Sequence, residues 1–167
     1  TTEIYTLSLH DALPICVEIS LEESIKYYKM SIEKGNSYAM YNLGSIYLYG
    51  DGVEKNVEEA IKYYKMAIEK GDYNAMNNLG SIYLYGKGVE KNVEEATKYY
   101  KMAIEKSNSN AMNNLGYMYH HGIGVEQNVE KAIKYYKMSI EKDCEVAKNN
   151  LSALINKIND LSTTEKI

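Results

Sequence analysis

Residues 37–72, SYAMYNLGSIYLYGDGVEKNVEEAIKYYKMAIEKGD, run directly into residues 73–108, YNAMNNLGSIYLYGKGVEKNVEEATKYYKMAIEKSN, and the two agree at 29 of 36 positions. The same interval extends in both directions. Ala39, Ala75, Ala111 and Ala147 keep it, as do the pairs Leu43-Gly44, Leu79-Gly80 and Leu115-Gly116, with Leu151-Ser152 as a degenerate fourth. Tyr27-Tyr28, Tyr63-Tyr64, Tyr99-Tyr100 and Tyr135-Tyr136 follow the same spacing. A unit of this length is one supersecondary module, too small to bury its apolar face alone, so a run of them stacks into a solenoid.

Each unit divides into two helices. Val57, Ala60, Ile61, Tyr64 and Ile68 recur at helical spacing and form the apolar stripe of the second helix. Glu58 with Lys62, Glu94 with Lys98 and Glu130 with Lys134 stand one turn apart on the opposite face, in the favourable order for ion pairing. Asn56 and Asn92 suit the N-cap and carry Glu59 and Glu95 three residues on, as Ser20 does with Glu23; at Asn128 the box is lost to Lys131. Gly35 and Gly71 suit the left-handed residue that ends a helix. The first helix is expected over about 38–49, with Ala39, Leu43, Ile46 and Tyr47 inward. The Gly-x-Gly loops at 50–52, 86–88 and 122–124 break the chain before the next cap. A glycine inside the first helix (Gly44, Gly80, Gly116) costs roughly 1 kcal/mol against alanine, and close approach of a neighbouring helix would explain it.

The pattern AMxNLGxIYLYGxGVEKNVEEAxKYYKMAIEK resembles the Sel-1-like repeat, a relative of the tetratricopeptide repeat. The resemblance implies an all-α fold, a right-handed superhelical solenoid of antiparallel helix pairs. Its expected divisions are a half repeat at 16–36 holding only a second helix, repeats at 37–72, 73–108 and 109–143, a C-terminal capping helix at 144–159 and a tail at 160–167. The departures are modest: Tyr27, Tyr63, Tyr99 and Tyr135 replace a usual Trp, and Met66-Ala67 and Met30-Ser31 replace an Ala-Ala pair. The resemblance also implies a non-enzymatic protein-interaction scaffold or adaptor that holds a protein or extended peptide on its inner surface.

Residues 1–15, TTEIYTLSLHDALPI, fit none of the repeats. They match, codon for codon, the translation of a common sequencing adapter, so they are read as an artefact with no part in the fold. The adapter's last base would convert a glycine codon to Cys16, which stands 36 residues before Gly52. Setting aside Glu3 and Asp11 leaves the chain near neutral, with 19 lysines and no arginine. No basic stripe for nucleic acid appears, and no apolar run is long enough for a membrane-spanning helix. Cys144 remains as a single thiol, which favours a reducing, intracellular and cytoplasmic setting over a disulfide framework.

By analogy with tetratricopeptide arrays, the first helices line the groove. One stripe carries Tyr38, Asn42, Ser45 and Tyr49; the next, Asn74, Asn78, Ser81 and Tyr85; the third, Asn110, Asn114, Tyr117 and His121. Tyr41, Asn77 and Asn113 flank them. Asn42, Asn78, Asn114 and Asn150 form a ladder with two open readings: hydrogen bonding to a bound peptide backbone, or to a neighbouring repeat. Two of the seven differences between the near-identical units, Tyr38/Asn74 and Tyr41/Asn77, fall on this face and favour the first.

Catalytic and metal readings are weaker. His120 and His121 are adjacent, so their side chains diverge by about 100° on a helix, and a helical zinc pair wants i,i+4 spacing. No cofactor, metal site or catalytic residue is expected. The alternative function is a hydrolytic enzyme of the cysteine-rich β-lactamase-like repeat type. That type carries a cysteine pair in each repeat, which this chain lacks.

Overall fold

The structure, a computed structural model, describes residues 21–164 and the side chains of residues 21–161. The adapter-like segment and Cys16 lie outside the described residues. Among those described there are eight α-helices and no strand: α1 (Leu21–Glu33), α2 (Ser37–Tyr49), α3 (Val57–Glu69), α4 (Tyr73–Tyr85), α5 (Val93–Glu105), α6 (Ser109–His121), α7 (Val129–Ile140) and α8 (Glu145–Thr164). The even-numbered helices are the first helices of their repeats and the odd-numbered ones the second. The first helices α2, α4 and α6 pack most extensively on the second helices that follow them, α3, α5 and α7, while the last first helix, α8, packs on the preceding α7.

Local chemistry accounts for the helix ends. Asn56, Asn92 and Asn128 accept the backbone N–H three residues on, as their cap positions require, and the Lys131 that breaks the box at Asn128 still donates its N–H. Asn36, Asp72 and Asn108 cap the first helices in the same way. The expected Glu58–Lys62 and Glu94–Lys98 pairs give way to a closer choice. Lys62 reaches Glu59 at 3.2 Å and Lys98 reaches Glu95 at 3.1 Å, one residue nearer along the helix. These are exposed pairs and add little to stability.

The core repeats with the sequence. Tyr64, Tyr100 and Tyr136 are fully buried, with Ala60, Ala96 and Ala132 beside them and Leu43, Leu79 and Leu115 opposite. The first-helix glycines make room for these rings. A Cβ on Gly80 would stand 2.8 Å from the Tyr100 ring and 3.2 Å from the Ala96 carbonyl, and Gly44 and Gly116 face Tyr64 and Tyr136 just as closely. Met40 and Leu48 are buried more deeply than Ile46 and Tyr47, which the periodicity had placed inward; both of those are half-buried. The first tyrosine of each pair stays at the surface edge of the core. Tyr63, Tyr99 and Tyr135 stack on Tyr47, Tyr83 and Tyr119 at 5.8, 5.9 and 5.7 Å, with the rings nearly parallel.

Two turns depart from the glycine pattern. Gly35 and Gly71 are left-handed, as expected, but Ser107 (φ 62°) and Asp143 (φ 60°) hold the same conformation without glycine. The C-terminal helix is also longer than its sequence equivalents. Ile158 occupies the place of the capping glycines Gly50, Gly86 and Gly122, so nothing there ends the helix, which continues to Thr164.

Candidate protein-binding groove

The first helices carry an unusual side-chain set for exposed elements: α2, α4 and α6 contain no Asp, Glu, Lys or Arg. Charge lies on the second helices, the loops and the C-terminal helix α8. Along this uncharged face the tyrosines nearest the helix C-termini stand out into solvent, Tyr49 at 64% exposure and Tyr85 at 57%, with Tyr38 at 66% near the start of α2. His121 is exposed at the equivalent position of α6, its ring 4.2 Å from Tyr117. Between Tyr49 and Tyr85 lies a small cleft of about 150 Å³. Asn78, Ser81 and Lys87 complete its walls, and Leu48 and Ile82 supply an apolar floor.

The asparagines are engaged elsewhere. Asn114 donates to Asn77 of the preceding repeat at 3.0 Å, and Asn150 donates to Asn113 at 2.8 Å. Asn108 likewise donates to Asn74 at 3.1 Å, and Cys144, at the equivalent position one repeat on, lies 3.9 Å from the Asn110 oxygen. The rung breaks at Asn78, because the residue that would accept from it is Tyr41. Its amide turns to the Tyr64 hydroxyl at 3.2 Å instead, while its oxygen accepts from Asn77. The corresponding amide nitrogen of Asn42 is buried without a hydrogen-bond partner among the described residues. Of the two readings of the ladder, these contacts support the one between repeats. They also place Asn113 in the core rather than on the groove. Tyr41 is half-buried and packs on the Tyr64 ring at 5.9 Å, and Tyr117 is half-buried against the C-terminal core.

The hydroxyl chemistry of the face is structural in character. Ser45 and Ser81 each lie 3.0 Å from a buried phenol, Tyr64 and Tyr100. Burial holds both phenols above their ordinary pKa, Tyr100 at about 12, so both keep their protons near neutrality. In the third repeat Tyr117 replaces that serine, and the Tyr136 hydroxyl pairs instead with His120 Nδ1 at a long 3.4 Å. His120 is buried, and that burial, followed by the nearby His121 and Lys157, pushes its pKa down. Among the described residues no group of three or more His, Cys, Asp or Glu is placed to hold a metal ion, and no helix is long and apolar enough to cross a membrane. Larger clefts, about 480 and 630 Å³, lie along α3 and α5. Their walls are mostly Lys and Glu side chains, which lose much rotamer entropy when ordered. The smaller cleft is instead flanked by two tyrosines, whose side chains have fewer rotors to fix.

The profile of the Sel1 repeat matches residues 15–36, 37–72, 74–108 and 109–144. Among curated proteins, none matches the chain. Among solved structures, a Sel1 repeat protein from Oxalobacter formigenes is similar at 35% identity and a TM-score of 0.73, over 78% of this chain and 53% of that one. A protective antigen of uropathogenic Escherichia coli with an SLR fold shares 31% identity and a TM-score of 0.71, over 79% of this chain and 29% of the antigen. This chain therefore spans about half the length of the first relative and under a third of the second. Helicobacter pylori cysteine rich protein B, at 24% identity and a TM-score of 0.61, covers 79% of this chain and 98% of its own, and shows the same fold.

Proposed function

The chain belongs to the Sel1 repeat family, whose members are typically protein-interaction scaffolds, and from that membership we propose that it is a non-enzymatic adaptor holding an extended segment of a partner protein along its first helices. The observation that carries this reading is the pair of exposed tyrosines, Tyr49 and Tyr85, set one repeat apart across an open cleft between two helices that hold no charged side chain. Aromatic side chains give large contact area for little conformational entropy and recur as interface anchors. With the asparagines serving neighbouring repeats, the groove contacts assigned to the partner are Tyr38, Tyr49, Tyr85 and His121. A reducing compartment suits the free, buried thiol of Cys144.

The test is selection of binding peptides from a displayed random library against the full chain, followed by titration of the best one. Tyr49→Ala and Tyr85→Ala should each weaken binding by about 30-fold, the effect of losing a contact worth roughly 2 kcal/mol. Both side chains are exposed, so the fold should be unaffected. Affinity unchanged in both variants, but lost on Met66→Glu or Met102→Glu, would move the binding surface to the clefts on α3 and α5 and refute the groove.

A further inference from the structure

First and second helices alternate along the described residues, which open on a second helix, α1, and close on a first helix, α8. Among those residues α1 has no first helix ahead of it, and α8 has no second helix after it. The gap is visible when each residue of α1 is set against its counterparts 36 residues apart. Tyr28 is only half-buried, whereas Tyr64, Tyr100 and Tyr136 are fully buried against a first-helix glycine. Tyr27 is 60% exposed, whereas Tyr63, Tyr99 and Tyr135 are half-buried in their stacks with Tyr47, Tyr83 and Tyr119. No residue of α1 is buried. α8 shows the complementary deficit. Leu151 is half-buried where Leu43, Leu79 and Leu115 are fully buried. Ile155, at the place of the stacking Tyr47, Tyr83 and Tyr119, is 44% exposed.

Polar groups at the two ends are open in the same register. Asn114 donates to Asn77 and Asn150 to Asn113, each to the residue 37 earlier. Asn42 belongs to that series of donors, and its buried amide nitrogen has no hydrogen-bond partner among the described residues. Asn149, one repeat on from the acceptors Asn77 and Asn113, is exposed at the other end. Ser139 donates to the carbonyl of Ser109, the first residue of α6, at 2.7 Å. Ser31 is its counterpart in α1, and Glu145 is the first residue of α8.

We infer that copies of this chain associate head to tail, with α1 of a second copy docking on α8 of the first to complete a hybrid repeat. Tyr27 of the second copy then covers Ile155 as Tyr63 covers Tyr47, and Tyr28 meets Ser152 as Tyr64 meets Gly44. Asn42 of the second copy donates to Asn149, and Ser31 to the Glu145 carbonyl. The contact continues one that already recurs within the chain, the packing of a first helix on its following second helix, the most extensive in the fold. A solenoid buries the apolar faces of its units by stacking, and two different surfaces meeting in this way give an open series rather than a closed two-fold dimer. α8 runs on past the place of the Gly-x-Gly loops, which the hybrid repeat does not need because its two helices belong to different copies. One contact is imperfect. A Cβ on Gly44, Gly80 or Gly116 would stand 2.8–2.9 Å from the tyrosine ring, and Ser152 carries that Cβ, so Tyr28 must tilt to fit. Association of this kind carries the first-helix face on from copy to copy, whether or not that face binds a partner segment.

Sedimentation velocity of the full chain between about 10 μM and 1 mM should show the mass rising from one copy to two and more. The rise should survive about 1 M salt, because the contact is apolar. Ile155→Glu and Tyr27→Glu alter side chains exposed in a single copy, so each variant should keep the circular dichroism of the parent, and each alone should remain a single copy. Mixed in equal amounts they should form a dimer and nothing longer, since one intact junction remains, α1 of the Ile155→Glu chain on α8 of the Tyr27→Glu chain. Ser152→Gly should tighten the association by about 5-fold or more, by relieving the contact with Tyr28. A full chain that stays a single copy at about 1 mM overturns the inference. So does either glutamate variant that still dimerises alone, which would place α8 on α8 or α1 on α1. Loss of association on deleting residues 1–15 would assign the contact to that segment and overturn it as well.

Discussion

Replacing the three core tyrosines one at a time by phenylalanine should give three different costs, although all three rings are fully buried in equivalent sites. Phenylalanine keeps the ring packing and removes only the hydroxyl, so the difference reports hydrogen bonding. In Tyr64 the hydroxyl lies 3.0 Å from Ser45 and accepts from the Asn78 amide at 3.2 Å. Ser45 retains a bond to the Tyr41 carbonyl, but the Asn78 amide loses its partner. A net hydrogen bond is worth about 0.5–1.5 kcal/mol, so losing two of them should make Tyr64→Phe cost roughly 2 kcal/mol. Tyr100 has the single contact to Ser81 at 3.0 Å, and its removal should cost about 1 kcal/mol. Tyr136 reaches only His120 at 3.4 Å, outside the usual range for a hydroxyl, and Tyr136→Phe should cost under about 0.5 kcal/mol. Equilibrium urea unfolding by circular dichroism separates these cases, because at a slope of about 2 kcal/mol per molar the first variant shifts the midpoint by roughly 1 M. Amide exchange resolved by repeat shows whether each loss stays local, as a nearest-neighbour array requires. A Tyr136→Phe cost equal to that of Tyr64→Phe would refute the reasoning, since ring burial alone would then govern the series.

Further outcomes follow from other contacts. Asn114→Ala leaves the Asn77 oxygen without its inter-repeat donor and should lower stability by about 1–2 kcal/mol in urea unfolding, whereas a solvent-facing asparagine would cost almost nothing. Ser107→Gly should raise stability in urea unfolding by about 0.5–1 kcal/mol, because Ser107 holds a left-handed conformation that costs a non-glycine residue roughly 1–2 kcal/mol, partly offset by the entropy of glycine. His120 has a folded pKa below its ordinary 6.5, so its contribution is complete above that value and is lost as pH falls through the folded pKa. The urea midpoint should therefore drop between about pH 7.5 and pH 5.5, and His120→Leu, which restores the residue of Leu48 and Leu84, should flatten that drop. Deleting residues 1–15 should leave the melting temperature unchanged; a fall of several degrees would mean that the segment packs on α1.

Features set by near neighbours in the chain were legible in the sequence. The period, the two-helix division, the caps at Asn56, Asn92 and Asn128 and the glycines against Tyr64, Tyr100 and Tyr136 rest on spacing within one turn or one repeat. The first-helix caps Asn36, Asp72 and Asn108 also carry a readable signal, an Asn or Asp just ahead of each helix. Only the tertiary structure decided what the asparagines do. Asn77, Asn78, Asn113 and Asn114 occupy positions where a side chain could face either a ligand or the next repeat. The choice depends on how far one repeat is turned against the next, a rotation that brings residues 37 apart within hydrogen-bond distance. The same stacking turned Tyr64, Tyr100 and Tyr136 into core and left Tyr63, Tyr99 and Tyr135 at its edge, and it lined up Tyr49, Tyr85 and His121 along one face. A helix's own periodicity fixes which of its faces is apolar, but it carries no information about the angle at which the next repeat docks.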